Sequence, residues 1–158
     1  MCIRDRLIVE TCIQQAQSID QEQLAAAARL ILSDHGITQG ELSIAIVDDP
    51  AIRVLNKQYL QHDYETDVIS FVLDEDESIG RLDGQLIVST DTAARESVDA
   101  GWSFEAELLL YVVHGTLHLV GYDDKSEAAI PEMRSAEAEY MAKLGFPMPA
   151  AKQETPKP

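Results

Sequence analysis

From Phe104 to Val120 apolar residues fill almost every position, so a helix there has no polar face and is predicted to lie buried at the centre of the domain. Ser103 can cap it, with Ala106 standing where a capping box wants Glu. Glu41 to Val47 sets Leu42, Ile44 and Ile46 against Ser43 and Ala45, the two-residue period of a half-buried strand. Leu7 to Ile13, Asp67 to Leu73 and Gly84 to Val88 read as further strands, and the acidic residues 74–77 with Gly80 as a loop. A helix capped by Asp20 runs through Gln23–Leu32 and stops before Gly36. Asp49-Pro50 opens another through Ile52, Leu55 and Tyr59, Thr90 to Val98 forms a third, and Pro131 begins a last one that reaches Leu144. The pattern predicts an α+β fold: a mixed sheet of four strands packed around a buried central helix.

The chain has 158 residues, enough for one domain, and 46% hydrophobic residues, enough for a sizeable core. Met1 to Arg6 does not read as structure, residues 7–146 read as a single domain, and 147–158 as a polar, disordered tail. No apolar run is long enough to span a bilayer and no signal-peptide pattern is present, so a cytoplasmic protein without a membrane partner is expected. The two cysteines, Cys2 and Cys12, make no disulfide framework; Cys12 is expected in the core and Cys2 as a free thiol. The net charge of −16 argues against binding nucleic acid over the whole surface but leaves room for a local, metal-centred groove.

Histidines 114 and 118 fall four apart on the apolar helix, hence on one face. Histidine is costly among apolar neighbours unless its nitrogens find partners. Two core histidines bonded to carbonyls would satisfy that; a shared metal ion accounts better for the pair together with Gly121 and the acidic turn Asp123-Asp124 that follows. The spacing matches the HExxHxxGxxH pattern of metzincin peptidases, with Asp124 in place of the third histidine. Three protein ligands leave a coordination position for water, as in catalytic zinc sites. The glutamate that serves those peptidases as general base is replaced by Gly115, which weakens a peptidase reading. Gly115 inside a helix implies that a close strand or an approaching substrate needs the space.

The segment His114-Gly115-Thr116-Leu117-His118-Leu119-Val120-Gly121-Tyr122-Asp123-Asp124 resembles the HGxLHLxGYDH signature of the YbeY endoribonuclease family, also called the rRNA maturation factor family. Leu55 to Phe71 resembles its LNxxYxxxDxPTDVLSF segment, and Gly84 to Ala93 its GDIVIS-x-x-x-A segment. The resemblance implies a metal-dependent, single-strand-specific endoribonuclease of 16S rRNA maturation and ribosome quality control. Its partners would be rRNA and the small ribosomal subunit with its assembly factors, not DNA. It places the metal ligands at His114, His118 and Asp124, the last where the family has histidine, around one divalent ion, Zn²⁺ before others. Asp123 is then turn-forming or supports a ligand, with an exchange of roles with Asp124 left open. Leu60 stands where many members carry a functional arginine; Lys57 and Arg53 are candidate phosphate contacts, though an ordinary solvated face explains both. Glu65 replaces the family's Pro, and Gln85 an Asp. Tyr122 could stack on a base or pack on the core, the second being favoured; Trp102 reads as core, His62 as a surface residue, His35 as a helix-end residue facing the dipole. No protein general base stands out. Two other functions compete: a zinc-dependent peptidase or amidase, and a non-catalytic ribosome assembly factor whose metal is structural.

Overall fold

In the computed structural model, which describes residues 7–13, 19–62 and 66–153, the strands are β1 (Leu7–Ile13), β2 (Gly40–Val47), β3 (Val68–Asp76) and β4 (Arg81–Ser89). The helices are α1 (Gln21–Asp34), α2 (Asp49–Leu60), α3 (Thr90–Ala100), α4 (Phe104–Leu119), α5 (Ala129–Lys143) and the short α6 (Ala150–Gln153). The leader 1–6 with Cys2, Glu65 and the end of the tail lie outside the described residues, as does the side chain of Cys12.

Side-chain caps start the helices where their residue types predict. Asp20 accepts from the Gln23 N–H, Asp48 from Ala51, Ser89 from Thr92 and Ser103 from Ala106. Each cap satisfies a backbone donor that the first turn would otherwise leave without a partner.

The sheet order is β1-β2-β4-β3, with β1, β2 and β4 parallel and β3 antiparallel to β4 at one edge. Leu42, Ile44 and Ile46 of β2 and Leu82, Leu86 and Val88 of β4 point to one face, where α1, α4 and α5 complete the main core. The intervening Val47 and Ile87 point to the other face and meet Ile52 of α2 and Ile69 of β3. The α+β architecture and the central helix agree with the sequence reading: Leu109, Val112, Val113 and Leu117 of α4 are fully enclosed.

Two differences concern boundaries. The acidic residues 74–76, expected in a loop, continue β3 and pair with residues 81–83 of β4 past an irregularity at Val72/Asp74. Their side chains are all exposed, so ladder hydrogen bonds can outweigh a poor strand propensity without burying charge. The segment 147–153, expected to begin a disordered tail, seats Met148 against the core and folds α6 against α3. An apolar anchor and the ion pair of Lys152 with buried Glu107 hold it there.

Candidate metal centre

The site is assembled where α4 ends. Val120 closes the helix and Gly121 takes φ +108°, a left-handed conformation that costs a side-chain-bearing residue strain. The Tyr122 N–H then reaches back to the Leu117 carbonyl at 3.0 Å and the Gly121 N–H to the His118 carbonyl at 3.1 Å, the paired bonds of a Schellman stop. That stop reverses the chain and carries Asp124 back over the last turn. Its Oδ2 lies 3.4 Å from His114 Nε2 and 3.6 Å from His118 Nε2, and the two Nε2 atoms are 3.1 Å apart. A four-coordinate ion with bonds of about 2.0–2.1 Å spaces its ligands about 3.3 Å apart, and the three separations bracket that value. Two imidazole nitrogens and one carboxylate oxygen are also an ordinary donor set for a divalent ion of the zinc type. The residues present therefore fit such an ion. The side chains of His114, His118 and Asp124 keep 18%, 28% and 33% exposure, so the cluster opens to solvent on one side instead of being sealed.

Beneath the cluster the helix lies tight on the sheet at Gly115. A Cβ there would come within 2.8 Å of Leu86 Cδ2, 3.0 Å of Val68 Cγ2 and 3.1 Å of Ser70 Oγ, and Ser70 donates to the Gly115 carbonyl at 3.2 Å. Strand packing, not substrate approach, is what requires the glycine. A glutamate at this position would be driven into the sheet, away from the histidines' open side. Gly115→Val is expected to destabilise the fold by about 1–3 kcal/mol through overpacking, in spite of valine's better helix propensity. Urea unfolding reads this directly, and an unchanged midpoint would contradict it.

Charge organises the same residues. Burial favours neutral His114, but hydrogen bonds with Asp124 and Glu137, and the charge on Glu137, outweigh it and hold the pKa up at about 9. His118 is lowered, by burial first and by the charge on His114 second. The hydrogen bond with His114 holds Asp124 down at about 2, against the effect of burial. The raised value for His114, against an ordinary 6.5, means that the metal-free fold has this stabilisation in full below pH 6.5 and loses it as pH rises through about 9. The melting temperature of chelator-treated protein is therefore expected to drop between about pH 7 and 9.5. A flat or rising curve over that window would show that the His114 contacts do not stabilise the fold.

Among the other candidates, Asp123 is exposed and accepts from the Lys125 N–H at 2.9 Å, a turn-forming role, so Asp124 is the acidic residue brought to the histidines. Tyr122 packs on the core and meets the His35 ring edge-on at 5.6 Å. His35 caps the C-terminal end of α1, its ring Nδ1 bonded to the Ile31 carbonyl at 2.8 Å. Trp102 packs against the core and donates to Glu107 at 2.7 Å. Arg53, Lys57 and Leu60 are exposed on α2, whose buried Ile52 packs on the sheet face opposite α4; His62 is exposed just past that helix. Asp67 accepts from the Val68 N–H at 2.7 Å and turns the chain into β3.

One residue of the site escaped the sequence reading. Glu137 of α5 is fully buried and lies against the far side of His114, Oε1 at 2.8 Å from the ring Nδ1, with Arg134 Nη1 at 2.9 Å from its Oε2. The signal was an acidic residue four positions after Met133 and four before Met141, on the apolar stripe of α5. Beside the cluster a groove of about 520 Å³ is lined by His118, His35, Ile37, Val72, Arg81 and Gly121.

Comparisons with known proteins place the chain in a family. The model of the family described as endoribonuclease YbeY matches residues 10–145. A curated endoribonuclease YbeY of Syntrophotalea carbinolica is 43% identical over 136 residues, covering 83% of this chain and 91% of the relative. Those of Rhodopirellula baltica and Geobacter metallireducens are 38% and 40% identical, covering 93% and 83% of this chain and 74% and 91% of their own lengths. A solution structure of a Thermotoga maritima protein shares the fold with a TM-score of 0.58 at 24% identity, over 87% of this chain and 88% of that one. With the signature segments, the three convergent side chains and a match over almost the whole described chain, this protein belongs to the endoribonuclease YbeY family.

Proposed function

We propose that this chain is a metal-dependent endoribonuclease that cleaves single-stranded RNA during 16S rRNA maturation, in the cytoplasm and in the context of the small ribosomal subunit and its assembly factors. The observation that carries the reading is the convergence of His114, His118 and Asp124 at ligand spacing on an open face beside a groove. The three side chains would hold one divalent ion, Zn²⁺ before others. When bound there, such an ion supplies Lewis acidity, polarising a phosphoryl oxygen and easing deprotonation of water.

The protein's own part is positioning. The Schellman turn at Gly121 and the last turn of α4 fix the donors before substrate arrives. The groove beside His118 offers apolar surface from Ile37 and Val72 to an unpaired strand whose bases can splay, while Arg81 there is held by Asp83 at 2.8 Å and Glu75 and Glu77 also line it, so the groove itself adds no net attraction for phosphates. A net charge of −16 makes affinity for naked RNA low, so the ribosomal context must bring substrate to the site. The alternatives fit less well. A peptidase lacks its base at Gly115, and a purely structural metal would be enclosed, whereas this cluster is open.

The test is cleavage of a short single-stranded RNA by protein stripped of metal and then titrated with Zn²⁺ or Mn²⁺. Cleavage is expected to appear with about one ion per chain and to spare the same sequence in a duplex. Activity that survives chelation, or peptide turnover without RNA cleavage, would overturn the reading.

A further inference from the structure

We infer that Glu137, held by Arg134, is a positioning residue that keeps the His114 ring in its Nδ1–H form and aims Nε2 at the ligand cluster; this rests on the metal reading above. Glu137 has 1% side-chain exposure although it is a charged-type residue in contact with His114. A carboxylate is not carried into a core without partners. Arg134 answers its charge, but that pair lies three residues apart on one helix and could equally form at the surface of α5. What brings Glu137 inward is His114, 23 residues earlier, at 2.8 Å.

The hydrogen-bond inventory then fixes the proton. An ionised carboxylate only accepts, so the ring atom facing Oε1 must donate, and Nδ1 carries the hydrogen. In the neutral ring Nε2 is left with its lone pair, and Nε2 is the atom 3.1 Å from His118 Nε2 and 3.4 Å from Asp124 Oδ2. Such a carboxylate behind a ligand histidine fixes ring orientation and raises ligand basicity. Arg134 in turn spans both carboxylate oxygens, at 3.3 and 2.9 Å, so it fixes the plane of the carboxylate that grips the ring. Glu137 touches neither the groove nor the cluster's open side. Its effect must pass through His114.

The experiment uses the full chain. Zn²⁺ affinity is measured by chelator competition for the parent protein, Glu137→Gln and Glu137→Asp, and histidine ring tautomers in the Zn²⁺-loaded parent are read by long-range proton–nitrogen correlation. The expected results are an Nδ1–H ring for His114, a loss of affinity of about 10- to 100-fold in Glu137→Gln, and partial recovery in Glu137→Asp. The His35 ring, bonded through Nδ1 to Ile31, serves as an internal control whose tautomer should not change between parent and variants. If the parent binds no divalent ion, the metal reading fails and this inference with it. If the parent binds and Glu137→Gln binds within twofold of it, the positioning role alone is overturned. Should the variants fail to fold, the loaded parent still decides: a His114 ring protonated on Nε2 refutes the assignment.

Discussion

His118→Ala is expected to abolish divalent-ion binding and RNA cleavage while leaving the protein folded. The side chain lies in the last turn of α4 with 28% exposure, and its neighbour Leu117, not His118, fills the core. Truncation therefore removes little buried apolar surface. It does remove one of three donors, which should cost more than the roughly 10- to 100-fold typical of losing a partner that only supports a ligand. Asp124→Ala should behave alike, and Asp124→His should keep an ion, because it exchanges one competent ligand for another. Metal content, cleavage of single-stranded RNA and thermal melting of the same samples read the outcome. A His118→Ala protein that is unfolded would make the metal structural. One that still cleaves would remove the cluster from the chemistry.

What could be read in advance divides by distance along the chain. His114, His118 and Asp124 lie within eleven residues of one another, and helix geometry with a glycine stop is enough to bring them together. The caps at Asp20 and Ser103 were legible for the same reason, since each bonds a backbone N–H three residues on. Glu137 and Lys152 were not, because their partners are 23 and 45 residues away and only the packed fold joins them. The acidic end of β3 was misread for a related reason: its strand character comes from pairing with β4, not from its own residues. Gly115 marks the middle case. The sequence showed that something needed the space, and only the sheet beneath it showed that Leu86, Val68 and Ser70 were what filled it.

Lys152→Ala is expected to destabilise the fold by about 3 kcal/mol, a large share of the roughly 5–15 kcal/mol that keeps a domain of this size folded. Glu107 is fully enclosed near the start of α4. Trp102 Nε1 donates to its Oε1 at 2.7 Å, and Lys152 Nζ to its Oε2, also at 2.7 Å. The lysine comes from α6, anchored one turn earlier by the Lys152 N–H to the Pro149 carbonyl and by buried Met148. Removing the cation leaves a buried carboxylate with neutral neighbours alone, the Trp102 donor and the Tyr111 hydroxyl, and a charge so placed is penalised far more than the intact pair is rewarded. Lys152 keeps 18% exposure, which lets water approach the gap and puts the cost at the lower end of the range for broken buried pairs. If the uncompensated charge is the cause, Glu107→Gln added to Lys152→Ala should recover much of the loss, since an amide can still accept from Trp102 and carries no charge to bury. Urea midpoints at constant slope measure both variants. A single variant within 0.5 kcal/mol of the parent, to take a margin typical of surface substitutions, would mean that α6 does not neutralise Glu107 in solution.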